Sequence, residues 1–160
     1  MSQRGPGDPG RLFEIHGPAL YRYAVMLLAD AAAAEDAIQQ VFVSLLRRPA
    51  PIENEAHYLR RAVRNECYSM LRARKVRGDS VTDRPLLEAI AAVPAAHDER
   101  IAIESAIRLL PPEQREVIHL HVFEGWTFQQ VADASDESIN TIAARYRYAI
   151  AKLRQTLTSA

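Results

Sequence analysis

Two helix starts stand close together in the last third of the chain, and they narrow its local structure more than any other feature. Thr127-Phe128-Gln129-Gln130 has the form of a capping box, in which a Thr hydroxyl and a Gln amide satisfy each other's orphan backbone donors. Ser138 is a second N-cap, set beyond the polar turn Asp133-Ala134-Ser135-Asp136-Glu137. Upstream, Gly125 stops a preceding helix and Trp126 anchors the junction. The spacing therefore predicts a short helix, a turn and a longer helix. In the longer one Ile139, Ile142, Tyr146, Ile150, Leu153 and Leu157 recur at helical spacing as one apolar stripe. Asn140, Thr141, Arg145, Arg147, Tyr148, Lys152 and Arg154 lie off that stripe. A helix buried on one side, with amide, hydroxyl and guanidinium groups on the other, suits a DNA major groove.

Helical periodicity fills the rest of the chain, and no strand-like alternation competes with it. A first helix is predicted from about Arg11 to Ala29, with Gly17-Pro18 as a bend or restart. Asp30 caps the next, where Ala34, Ala37, Ile38, Val41, Phe42, Leu45 and Leu46 form an amphipathic face until Pro49 and Pro51 end it. A third runs from about Glu55 to Lys75 with Leu59, Ala62, Val63, Cys67, Met70 and Leu71 on its apolar side. Three such faces can close a small bundle core. Gly78 to Asp98 reads as a linker of about 20 residues that could span at most ~70 Å, with Leu86–Ile90 as a short helical island. Helices are then predicted at Ile101–Leu110 and Glu113–Phe123, on either side of Pro111-Pro112.

Charge distribution says more than total charge. The chain carries 20 basic and 20 acidic residues, which argues against a generic polyelectrolyte binder. Yet from His57 to Arg77 the basic residues Arg60, Arg61, Arg64, Arg72, Arg74, Lys75 and Arg77 stand against Glu66 alone, and nothing acidic follows Ile139. Arg61, Arg64, Tyr68, Arg72 and Lys75 share one helical face. The residues by themselves leave a solvated surface open as its meaning. Cys67 is the single cysteine, so no disulfide forms within the chain, and a small core residue is its expected role. His16, His57, His97, His119 and His121 give no metal-ligand spacing, and neither a nucleophile–base pairing nor a phosphate-binding Gly loop is visible. The most apolar run, Ala24–Ala29, is far short of the ~20 residues of a membrane span, and Met1–Gly10 reads as a Gly/Pro-rich lead-in rather than a signal peptide. The expected localisation is cytoplasmic.

Taken together, these motifs resemble the extracytoplasmic-function (ECF) sigma factors of bacterial RNA polymerase over nearly the whole chain. Ala19–Ala24 and Ala34–Phe42 are similar to the helices of their region 2 that clasp the polymerase clamp, and Tyr58–Asn65 with Arg72 to the helix that engages the promoter −10 element. Leu110–Ile118 and Phe123–Thr127 resemble the family's run into its region 4 helix-turn-helix, and Asn140–Arg147 its recognition helix. The resemblance implies an all-α protein of two small helical domains. A disordered lead-in over residues 1–10 precedes a region 2-like bundle over 11–77, and a flexible linker over 78–97 joins it to a region 4-like helix-turn-helix domain over 98–160. No added C-terminal regulatory domain is expected beyond the recognition helix.

By the same resemblance the protein is not an enzyme, uses no cofactor or metal, and directs core RNA polymerase to promoters, where it recognises the −10 and −35 elements and helps melt the duplex. The −10 side falls to Tyr58, Arg60, Arg61, Arg64, Asn65, Tyr68, Arg72 and Lys75, with a base pocket in the Arg47–Asn54 loop. The −35 side falls to Thr127, Ser138, Asn140, Thr141, Ala144, Arg145, Arg147 and Tyr148. Contact with core polymerase falls to Glu35, Asp36, Gln39 and Gln40. Partners are core polymerase, promoter DNA and, as for many relatives, an anti-sigma factor, without membrane insertion. The alternative is a stand-alone helix-turn-helix regulator whose N-terminal bundle senses a signal. The chain departs from the family pattern at Gln40 (usually acidic), Tyr58 (commonly Trp), Ser69 (commonly Asp), Asp136-Glu137 (usually Gly-Ile) and Ala143 (frequently Lys or Arg).

Overall fold

The computed structural model describes residues 8–47, 53–78 and 96–159. The chain divides into two compact units, Met1–Thr82 and Asp83–Ala160. All regular structure among the described residues is helical, and none of these helices is long and apolar enough to cross a membrane.

The first unit is a three-helix bundle of α1 (Pro9–Leu28), α2 (Ala31–Arg47) and α3 (Glu55–Arg77), each packed on the other two. Asp8 caps α1 by accepting from the Arg11 N–H at 3.0 Å, and Pro9 occupies the first helical position, where its missing N–H costs nothing. The lead-in expected through Gly10 thus ends earlier, and residues 1–7 lie outside the described residues. No restart occurs at Gly17-Pro18 either: α1 runs through Pro18, held by packing against α2 and α3. Ala29 ends the helix with φ +52°, a left-handed conformation that costs a non-glycine residue roughly 1–2 kcal/mol. Asp30 then accepts from the Ala33 N–H at 3.1 Å and starts α2. Leu12, Leu20, Met26, Leu27, Ile38, Leu45, Leu59 and Val63 fill the core with Cys67, each large aliphatic side chain contributing about 1.5–3 kcal/mol by leaving water.

The second unit comprises α4 (His97–Arg108), α5 (Pro112–Ile118), a π-helical turn (His119–Phe123), α6 (Phe128–Ser135) and α7 (Ile139–Thr158). Helix α7 packs on α4, α5 and α6. Leu110, Ile118 and Ala149 make a buried centre against which Phe123, Tyr146, Ile150 and Leu153 pack. The Pro111-Pro112 corner is held by the buried Arg115 guanidinium, which donates to the Leu110 carbonyl. Three sequence-based expectations change in this unit. Helix α4 begins at His97 rather than Ile101, with the Glu99 carboxylate accepting from the Ala96 N–H at 3.3 Å. The helix expected over Glu113–Phe123 widens into a π turn, where the Glu124 N–H reaches the His119 carbonyl at 3.0 Å. Helix α6 continues to Ser135, completing two turns before the chain reverses. The island expected at Leu86–Ile90 lies outside the described residues.

Candidate nucleic-acid interface

Helix α3 is capped by Asn54, whose side-chain oxygen accepts from the His57 N–H at 3.2 Å. Leu59, Val63 and Cys67 recur every fourth residue and are fully buried, which turns the remaining sides of the helix outward. Arg61, Asn65, Arg72 and Lys75 are exposed. Arg64 and Tyr68 are half-buried as a pair, the guanidinium carbon 4.5 Å from the ring centroid. Tyr58 stands near the start of the helix with 47% of its surface exposed, and lines a cleft of about 220 Å³ with Gln40, Ser44 and Glu66. The base pocket expected in the Arg47–Asn54 loop falls mostly on residues 48–52, outside the described residues.

Two cations of the basic run point elsewhere. Arg60 lies over the Tyr23 ring of α1, 4.8 Å from its centroid, so its charge packs within the bundle instead of joining the outward stripe. Arg74 donates to the Leu28 carbonyl at 2.9 Å and contacts the Asp30 carboxylate at 3.4 Å. It thereby ties α3 to the corner between α1 and α2. Sequence spacing could not separate these two from their neighbours, because the groups they meet lie far away along the chain. At the start of α3 Glu55 pairs with Arg11 and stands 3.7 Å from His16.

On α2, Glu35, Asp36, Gln39 and Gln40 are all exposed. Glu35 and Gln39 border a largely apolar groove of about 440 Å³ with Phe13, Pro18, Tyr21 and Ile38. Asp36, Gln39 and Gln40 border a second, more polar one of about 390 Å³ with Arg47, Glu66 and Met70. An acidic and amide-rich helix flanked by apolar hollows is suited to a basic protein surface rather than to DNA.

The helix-turn-helix forms as its caps dictate. The Thr127 hydroxyl accepts from the Gln130 N–H at 3.1 Å, and the Gln130 side chain accepts from the Thr127 N–H at 2.9 Å. The Ser138 hydroxyl accepts from the Thr141 N–H at 3.1 Å and shares a hydrogen bond with the Thr141 hydroxyl at 2.9 Å. Both caps are thus engaged in shaping the motif. Between them Asp136 takes φ +53°, an excursion that Asp tolerates better than most residues. Gly125 (φ +74°) makes the corresponding turn ahead of α6. Behind the motif the His121 ring donates to the Trp126 carbonyl at 2.6 Å and packs on Phe128 and Tyr146, with centroids 4.4 and 5.1 Å away. His119 is buried and bonds Glu124 at 3.0 Å. Both histidines brace the path from the π turn into α6. Among the described residues no cluster of three or more His, Cys, Asp or Glu could hold a metal ion.

Along α7 the burial is narrower than the predicted stripe. Ile142 and Ala149 are fully buried, Tyr146, Ile150 and Leu153 partly so, whereas Ile139 and Leu157 are 45% and 38% exposed. The neighbouring helices cover the middle of α7 and not its ends. Asn140, Arg147 and Tyr148 are exposed, and Thr141 and Ala144 half-buried. Arg145 is drawn back to the turn, where its Nη2 donates to the Glu137 carboxylate at 3.2 Å. Sequence reasoning left Glu137 out of the site, and the signal that could have found it was an acid just ahead of a basic helix.

Known proteins match both units. The sigma-70 region 2 family matches residues 12–77, and the sigma-70 region 4 family residues 106–155. The ECF RNA polymerase sigma factor SigL of Mycobacterium tuberculosis is 32% identical, over 91% of this chain and 86% of that protein. The RNA polymerase sigma-E factor of Streptomyces coelicolor is 29% identical, over 88% and 81%. Among solved structures, the sigma factor RpoE of Bartonella quintana, in a co-crystal with the anti-sigma factor NepR, superposes with a TM-score of 0.70 at 25% identity, over 93% of this chain and 96% of that one.

Proposed function

The chain belongs to the ECF sigma factors of bacterial RNA polymerase, and from that premise we propose a division of labour among its surfaces. As a sigma factor it binds core polymerase and brings it to promoter DNA. The exposed row Glu35, Asp36, Gln39 and Gln40 on α2 meets the polymerase. The outward face of α3 meets the −10 element: Arg61, Arg64, Arg72 and Lys75 contact phosphates and set register, which positions the protein without reading sequence. Tyr58 stacks on a base lifted out of the duplex, offsetting the few kcal/mol that unstacking costs. Helix α7 enters the major groove at the −35 element, where Asn140, Thr141 and Arg145 read base edges and Arg147 and Tyr148 lie nearer the backbone. Thr127, Ser138 and Ala144 shape that surface, the first two through their caps. The protein carries out no bond-making step itself and works in the cytoplasm with the polymerase.

The observation that supports this reading best is the pairing of the two family regions, in order, with two helical units that each carry an outward basic face. A stand-alone regulator leaves the outward basic face of the region 2 unit without a role. Given the RpoE–NepR co-crystal, an anti-sigma factor is proposed as a further partner. In-vitro transcription with purified core enzyme is the test. Initiation at promoters of the protein's own genome, dependent on added protein, is the expected result. Absence of both core binding and directed initiation would overturn it.

A further inference from the structure

The turn before α7 carries a carboxylate where it faces the DNA-reading end of the helix, an unwelcome charge beside phosphates. Glu137 holds Arg145 across two turns of helix, Oε1 to Nη2 at 3.2 Å. Helical side chains lean toward the N-terminus, so Arg145 is directed to the same end of α7 as Ser138 and Thr141, the end that approaches base edges in this motif. A guanidinium drawn there works against the positive pole of the helix, and a carboxylate beside it removes the conflict. The pair is partly exposed, at 23% for Arg145 and 38% for Glu137, so it adds little to stability. It does constrain a side chain that would otherwise swing freely.

From this we infer that Glu137 is a specificity-determining positioning residue for −35 recognition: it holds Arg145 for a guanine edge and keeps it off the phosphates. Guanine is the base that offers two acceptors, O6 and N7, to one guanidinium. Glu137 also repels phosphate directly, so the turn disfavours binding that lacks the base contact. This role rests on the proposed assignment of Arg145 as a base reader.

Holoenzyme reconstituted with the full chain, assayed on promoters carrying each base at each −35 position, tests both statements separately. R145A is expected to lose about 5- to 150-fold of preference at one base pair, the range of a two-pronged contact. E137A and the shape-conserving E137Q are expected to weaken preference at that same base pair and to strengthen binding to templates in which it is changed. Arg145 freed onto a phosphate steepens the dependence of log K on log salt concentration by about 0.9. The double variant E137A/R145A should match R145A in base preference, while the lost repulsion of phosphate raises its affinity equally on all templates. A merely structural role for Glu137 would move none of these position-specific readouts. Preference unaltered in R145A would overturn the reader assignment and the role of Glu137 with it. Preference altered in R145A but untouched by both Glu137 variants, or additive losses in the double variant, would overturn the role of Glu137 alone.

Discussion

Arginines that look alike in the sequence do four different things in the fold. Arg61 is exposed on the outward face of α3, Arg64 packs on Tyr68, Arg60 packs on Tyr23, and Arg74 bonds the Leu28 carbonyl and Asp30. Of these four, only the first two belong to the DNA-facing assignment on geometry. Reversing their charge in the pair R61E and R64E is expected to lower open-complex yield while leaving affinity for core polymerase unchanged, as read by permanganate footprinting and a core-binding titration. An unaltered yield would remove the stripe from the −10 assignment. The side chains of Arg74 and Asp30 are 14% and 15% exposed, so removing the cation leaves a helix-end carbonyl and a carboxylate short of their partner. R74A should therefore lower stability by about 1.5–3 kcal/mol, the range for hydrogen bonds to charged groups. Urea unfolding gives the value, and a midpoint equal to that of the parent protein would refute the corner role.

Helix boundaries behave differently from side-chain destinations. The caps at Thr127 and Ser138 join groups three residues apart, so their bonds are written in the local sequence and form as expected. Replacing either hydroxyl by T127A or S138A is expected to cost about 1 kcal/mol of stability. S138A should in addition reduce −35 selectivity, because it releases the Thr141 N–H and hydroxyl from their fixed places. Thermal unfolding and promoter-variant transcription read the two effects. Loss of selectivity from T127A but not from S138A would contradict this ranking of the two caps. The π turn at His119–Phe123 was not legible, since periodicity cannot distinguish a helix from one widened by a residue. Its braces, His119 to Glu124 and His121 to the Trp126 carbonyl, exist only once the chain has turned at Gly125. The ends of the α7 stripe show the same limit: Ile139 and Leu157 have the right spacing for a core, but burial requires a neighbour.

At the scale of the whole molecule, the balance of 20 basic and 20 acidic residues separates this protein from a polyelectrolyte DNA binder. Its cations lie in local faces, and an acidic row on α2 is opposite in character to those on α3 and α7. Binding of the protein alone to promoter DNA is therefore expected to be weak and poorly selective, and selective binding to require core polymerase. Fluorescence anisotropy with and without core enzyme measures this, and tight selective binding by the isolated protein would refute it. The amino-acid sequence alone determined the helical class, the caps, the two-module order and the family resemblance, because each depends on groups a few residues apart or on motif order. Only the tertiary structure decided which cations face outward, how far α7 is buried, and that Glu137 holds Arg145. Those outcomes depend on contacts between separated elements, or on a side-chain direction that becomes defined only when a turn such as that at Asp136 has closed.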